Sequence, residues 1–182
     1  MIDRFLTRTK RRRRVRRRPR AVLALALFGL GLIGFATLAR PAPWLVWNAS
    51  ASAPIGLYRV LPANAVRGDL VLVRTPASVR QLAAERGYLP ATVPLVKRVA
   101  AVGGDVICAA GDVISVNGRG VGERLAHDRS ARPLPAWSGC HLLDDGEVFL
   151  LMEGVSDSFD GRYFGPVRRA AIIGRLVPLW VE

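Results

Sequence analysis

Lysine occurs at only two positions in this chain, Lys10 and Lys97, whereas the remaining cationic residues of the 27 are arginines. Arginine stays protonated in proteins, but a lysine taken out of water can lose its proton and act as a base. Lys97 lies in Pro94–Val102 (PLVKRVAAV). Read as a strand, its period of two puts Leu95, Lys97, Val99 and Ala101 on one apolar face. Such a face disfavours the ammonium, and lowering a lysine pKa from ~10.4 to ~8 asks for roughly 3 kcal/mol. The alternative is a strand-edge lysine reaching out to solvent. A lysine base needs a nucleophile, and Ser50 and Ser52 supply two hydroxyls in Asn48–Tyr58 (NASASAPIGLY). The small side chains there leave room for a substrate backbone, and serine becomes nucleophilic once a neighbouring base removes its proton. The alternative is a solvated linker.

Other groups could do different chemistry. Cys108 and Cys140 lie far apart, without a CxxC pair, and His127 and His141 complete a set of four potential zinc ligands. Their spacing departs from the paired-ligand pattern. A disulfide, which an oxidising compartment would favour, and a pair of unlinked buried thiols are the other readings. Asp128, Asp144 and Asp145 read as solvated loop residues.

The elements that would position these groups begin with an anchor. Ala21–Ala39 (AVLALALFGLGLIGFATLA) contains no charge. At 1.5 Å per residue its 19 positions span about 28 Å, close to the hydrocarbon core of a bilayer. The stretch exceeds the core of a typical cleavable signal peptide, so it reads as a retained transmembrane helix. The formal charge is +13, of which residues 1–20 carry +10, so the basicity belongs to the tail. Arg11–Arg14 and Arg16–Arg18 keep that end cytoplasmic and direct the rest outward. Trp44 and Trp47 suit the membrane interface. The same arginines would also serve contact with anionic lipid or nucleic acid, the latter not expected as a partner. Three segments result: a basic cytoplasmic tail over 1–20, a transmembrane anchor over 21–39 and an extracytoplasmic domain over 40–182.

That domain reads as mostly β. Leu70–Arg74, Leu95–Val102, Val113–Val116 and Val148–Met152 have the length and composition of strands, and Asn117-Gly118 signals a tight turn. Only Ser78–Arg86, between Pro76 and Gly87, reads as a helix. Ile172–Val181 closes the chain as a strand, with Pro178 placing its end near an edge.

Four segments in order resemble the signal peptidase I (S26) family, in its conjugative-transfer, TraF-type branch: SASAPIGLY at Ser50–Tyr58, RGDLVLV at Arg67–Val73, VKRVAAVGGDVI at Val96–Ile107 and SDSFDGRYFGPV at Ser156–Val167. The resemblance implies a signal-peptidase-like antiparallel β domain with one short helix behind a single anchor. It implies Ser52 as nucleophile and Lys97 as general base. Ser50 and the Ser52 N–H would hold the oxyanion, Ser158 would position the amine, and Asp160 with Arg162 would form a supporting ion pair. It favours a disulfide between Cys108 and Cys140 over zinc. Proline follows Ser52 one place sooner than in the housekeeping Ser-Met-x-Pro pattern, which points to a dedicated substrate and keeps Ser50 as an alternative nucleophile. The implied activity is cleavage of a secreted precursor such as a pilin subunit at the bacterial inner membrane, with the domain in the periplasm, by hydrolysis or by cyclisation. Membrane lipid and conjugation or secretion components would be its other partners, and the chemistry requires no metal or organic cofactor. A non-catalytic, membrane-tethered assembly component is the competing reading.

Overall fold

The computed structural model describes residues 19–39 and 43–182, and Arg11–Arg14, Arg16–Arg18 and Arg40 lie outside the described residues. Residues 19–39 and 43–182 belong to two separate units. The first is one helix, α1 (Pro19–Ala39). Proline suits an opening turn because its missing N–H would have no partner there. Leu25, Phe28, Leu30, Ile33 and Phe35 are all exposed. An all-round apolar helix with no protein cover needs an apolar surrounding, and its length and composition fit a single-pass membrane anchor.

The second unit is built on antiparallel strands. In chain order these are β1 (Leu45–Asn48), β2 (Gly56–Leu61), β3 (Leu70–Val73), helix α2 (Ala77–Glu85), β4 (Leu95–Val102), β5 (Val106–Ala110), β6 (Val113–Val116), β7 (Arg119–Glu123), β8 (Gly139–Leu142), β9 (Glu147–Leu150), helix α3 (Gly161–Phe164), β10 (Val167–Arg168) and β11 (Ile172–Val181). Seven form one sheet in the order β1-β2-β11-β3-β4-β9-β10, and four form another in the order β7-β6-β5-β8. The chain is therefore mostly β, as its short apolar runs imply. The Asn117-Gly118 turn joins β6 to β7 with both residues at positive φ, the geometry that matches strand twist in a two-residue hairpin.

β3, the central strand, is buried at every position, and β4 beside it has Leu95, Val96, Val99 and Ala101 all buried. Alternation alone would have left Val96 outside, but it packs with Leu70, Leu72 and Leu176, so the sheet is covered on both faces here. The first half of the closing strand is interior, and its end reaches a free edge as Pro178 implies. β11 lies inside the sheet, between β2 and β3. Its pairing with β3 ends at Arg175, while Pro178 pairs with Tyr58 of β2. The proline is tolerated because the strand has run past β3 and has no second neighbour to serve.

β1 and β2 form a hairpin whose neck pairs Asn48 with Gly56. Gly56 is required: its φ is +152°, and an added Cβ would stand 2.2 Å from the Trp180 carbonyl oxygen. The hairpin thus lies flush against β11. In the smaller sheet Cys108 and Cys140 face each other across β5 and β8 and are joined by a disulfide. Every residue of β8 is exposed, so this strand has little burial to hold it and the covalent bond substitutes. The double substitution Cys108→Ser with Cys140→Ser is expected to cost about 2–4 kcal/mol for a loop of this length. Urea titration of the two proteins would check it, and an unchanged midpoint would deny the disulfide that role.

Candidate active site

Lys97 stands on β4 opposite Val71, with its side chain 4% exposed. Its Nζ donates to Ser158 Oγ at 2.7 Å and to Ser52 Oγ at 3.1 Å. Ser52 comes from the turn between β1 and β2, and Ser158 from the segment between β9 and α3. Three distant stretches of sequence meet at one nitrogen. Burial is the main influence on that nitrogen and pulls the Lys97 pKa from 10.5 down to about 8. The Asp160 carboxylate opposes the shift, Arg162 reinforces it and Asp157 opposes it. The lysine is therefore poised to exchange a proton close to neutral pH.

The second serine pair adds a hydroxyl beside the first. Ser50 Oγ lies 3.0 Å from Ser52 Oγ, and the Ser52 N–H donates to it at a long 3.4 Å. The turn that carries them is open to solvent at Ala49, Ser50 and Ala51, while Ser52 is half-buried. A substrate carbonyl can approach Ser52 from that side.

Beneath Ser158 the chain is held by charge and by rings. Asp160 is fully buried and Arg162 is 2% exposed. Asp160 Oδ1 accepts from the Arg162 N–H and Nε, and Oδ2 accepts from Arg162 Nη2 at 2.9 Å and from the Met152 N–H. Arg162 also donates to the Val155, Ser156 and Glu123 carbonyls. This buried, fully hydrogen-bonded pair differs from the exposed salt bridge those two residues could equally have formed. Phe159, between the two functional positions, packs against Tyr88, Tyr163 and Phe164. Gly161 lets the segment lie against β9, since a Cβ there would be 2.6 Å from the Leu150 carbonyl oxygen.

Ser50, Ser52, Lys97, Ser158, Asp160 and Arg162 are thus brought together. Cys108 and Cys140 are not among their partners and belong to the four-stranded sheet. His127 forms a bridge with Pro133, and His141 Nε2 lies 2.7 Å from Glu147 Oε2. Asp128 corrects its reading as a solvated loop residue. It accepts from the Tyr88 hydroxyl, from Arg132 Nε and from the Ser130 and Arg132 N–H groups, organising the loop before β8. Asp144 is exposed in its loop, as read, where it pairs with Arg168 and accepts from the Gly146 N–H. A cavity of about 500 Å³ lies elsewhere, lined by Arg67, Arg98, Asn117, Arg119 and Glu153 among others. Arg67 pairs there with Asp105, Arg98 donates to the Gly68 carbonyl and Arg119 pairs with Glu153. Sequence reasoning also missed Asn48 and Tyr58, which hold the serine turn from inside. The signal was an asparagine set two residues before the first of two alternating serines.

The model of the family described as signal peptidase, peptidase S26, matches residues 17–180. The chain belongs to the S26 signal peptidase family. A plasmid transfer protein TraF of Escherichia coli is 36% identical over 135 residues, covering 69% of this chain and 76% of that protein. A second plasmid transfer protein TraF of Escherichia coli is 38% identical over 143 residues, with 72% and 80% covered. A probable conjugal transfer protein TraF of Sinorhizobium fredii (strain NBRC 101917 / NGR234) is 34% identical over 173 residues, with 89% of each chain covered. Among solved structures, a signal peptidase I of Enterococcus faecalis V583 is similar with a TM-score of 0.36 and 18% identity, covering 64% of this chain and all of that one. Membership of the S26 family supports a serine peptidase activity.

The buried lysine carries a cost that can be measured in this S26 chain. A folded-state pKa of about 8 against 10.5 means that the unfolded chain binds more protons between those values. Stability should therefore rise with pH through that window, and the full penalty applies below about 8. The penalty is on the order of 3 kcal/mol, offset in part by the hydrogen bonds Nζ makes. Lys97→Met is expected to stabilise the domain at pH 7 by on the order of 2 kcal/mol, measured by denaturant titration. Destabilisation instead would mean that the ammonium is well accommodated.

Proposed function

We propose that the chain is a membrane-anchored serine endopeptidase in which Ser52 is the nucleophile and neutral Lys97 the general base. The observation that carries the reading is the 3.1 Å contact between Ser52 Oγ and a buried amine whose pKa is lowered to about 8. In the forward step the Ser52 hydroxyl proton passes to Lys97 Nζ as Oγ bonds to the scissile carbonyl carbon. The carbonyl oxygen gains negative charge, which the Ser52 N–H and Ser50 Oγ–H stabilise. Collapse of the intermediate breaks the C–N bond, and the Lys97 ammonium gives its proton to the leaving amine. An ester to Ser52 remains. Water resolves it to a carboxylate, or an amine of the same polypeptide resolves it to an amide and a cyclic product. Ser158 holds Nζ on the line of Ser52 throughout, and Asp160 with Arg162 holds Ser158.

The likeness to plasmid and conjugal transfer proteins supports a role in conjugation, and we propose a secreted pilin-type precursor as the substrate. The arginines ahead of α1 support a cytoplasmic N-terminal end and an extracytoplasmic domain at the bacterial inner membrane. The Cys108–Cys140 disulfide suits such an oxidising compartment. Trp44, Trp47, Leu179 and Trp180 are exposed, with the Trp47 and Trp180 rings stacked at 5.7 Å, and such a face suits a lipid surface.

Wild type and Ser52→Ala, each expressed with the precursor encoded beside it, separate the readings by mass spectrometry of the precursor's termini. Processing is expected with wild type and not with Ser52→Ala at equal protein level. A product lighter by one water would mark cyclisation. On a peptide spanning the mapped site, kcat/KM should rise about tenfold per pH unit below about 8 and level off above it, as a base of that pKa requires. Equal processing by both proteins would remove Ser52 as nucleophile and leave Ser50 or the non-catalytic reading.

A further inference from the structure

We infer that Asn48 is a positioning residue for the reaction, setting the serine turn so that the Ser52 N–H and Ser50 hydroxyl meet the developing oxyanion. The inference rests on Ser52 being the nucleophile. The turn itself offers little to hold it. Ala49, Ser50, Ala51 and Ser52 have small side chains, three of them exposed, and Ala53 is the first that packs into a core cluster. A turn of this composition would sample many backbone states. Its own backbone contributes a long 3.3 Å bond from the Ala53 N–H to the Ser50 carbonyl, and the rest of its order comes from a polar side chain reaching in from a rigid element.

Asn48 is that side chain. It ends β1 at the hairpin neck, opposite Gly56, and is 4% exposed. Its Nδ2 donates to the carbonyls of Ser50 at 2.9 Å, Pro54 at 3.0 Å and Ala53 at 3.1 Å. Its Oδ1 accepts from the Ser50 N–H at 3.1 Å. One amide thus grips both backbone groups of Ser50 and two carbonyls beyond Ser52, spanning the nucleophile from either side. Tyr58 Oη adds a 2.7 Å bond to the Pro54 carbonyl. Only a primary amide has this pattern of two donors and an acceptor on one planar group. Aspartate, of the same shape, would set a carboxylate oxygen against three carbonyl oxygens.

Activity depends on this because oxyanion donors act only when preorganised within about 2.7–3.1 Å of where charge develops. The Ser52 N–H is engaged weakly in the resting turn, at 3.4 Å from Ser50 Oγ, and is therefore available to a substrate. What fixes its direction is the pair of bonds from Asn48 to Ser50. Lys97 on β4 and Ser158 from the segment before α3 are not among the hydrogen-bond partners of Asn48, so the base should be intact when Asn48 is changed.

The test uses the full-length, detergent-solubilised protein and the peptide spanning the mapped processing site. Asn48→Ala, the isosteric Asn48→Asp, Asn48→Ser, Ser50→Ala and the double variant Asn48→Ala with Ser50→Ala are compared for kcat, KM and thermal midpoint. Asn48→Ala and Asn48→Asp should each lower kcat about 10²-fold, the scale of a lost oxyanion donor, with KM within about threefold. The midpoint of the pH profile should stay where wild type has it. Asn48→Ser, which keeps one short donor, should recover part of kcat and tests the inference if the other two variants do not fold. The double variant should be little slower than the worse single variant, because both changes disable the same donors. A kcat within threefold of wild type in the Asn48 variants would overturn the inference. So would a double variant slowed by the product of the single effects, which marks an independent structural role. Wild-type processing that survives Ser52→Ala would instead remove the underlying reading, and this inference with it.

Discussion

The structure of this domain turns on one unfavourable placement, a lysine amine buried where its charge is poorly solvated. Lys97 sits on an interior strand of a seven-stranded sheet, and the shift from 10.5 to about 8 expresses the mismatch between the ammonium and its surroundings. An arginine could not occupy this position with the same consequence, since it would remain charged. The mismatch is tolerated because two serine hydroxyls reach Nζ and because β3 and β9 hold β4 on either side. The stability surrendered there is the source of the proposed base, a trade that functional sites commonly make.

The neighbouring charges are arranged so that the lysine is neither abandoned nor neutralised. Asp160 lies near enough to raise the lysine pKa, but its oxygens are already occupied by Arg162 and by the Met152 N–H. Had that carboxylate paired with Lys97 directly, the amine would be held as a cation. By pairing with Arg162 it organises the Ser158 segment and leaves the lysine to the serines. Aromatic packing of Phe159 and the glycine at 161 complete the same task by steric means.

Much of this was legible in the residues, for reasons that can be named. Lys97 stood out because arginine is used almost everywhere else, and its strand came out at Leu95–Val102 as the apolar run implied. The helix between Pro76 and Gly87 lies within one residue of its expected ends, since both breakers act locally. Less legible were features set by partners distant in sequence. Pro178 marks the free end of β11, but nothing in the strand itself tells that its first half lies between β2 and β3. The serine segment taken alone could equally be a solvated linker; it is a hairpin turn because β1 and β2, short and half-exposed, acquire order by pairing with each other and with β11. Asp128 and Asn48 look like ordinary loop polars. Their burial and multiple hydrogen bonds depend on where the surrounding backbone carbonyls and amides fall, which composition does not encode.

The most direct measurement is the titration of Lys97 itself, followed by NMR of the protein with ¹⁵N- or ¹³C-labelled lysine, a spectrum simplified by there being only Lys10 besides. The account predicts a Lys97 signal titrating with a midpoint near 8 and lost in Lys97→Met. A Lys97 signal titrating near 10.5 would contradict it, because Lys97 would then remain an ammonium at neutral pH and could not take the proton of Ser52.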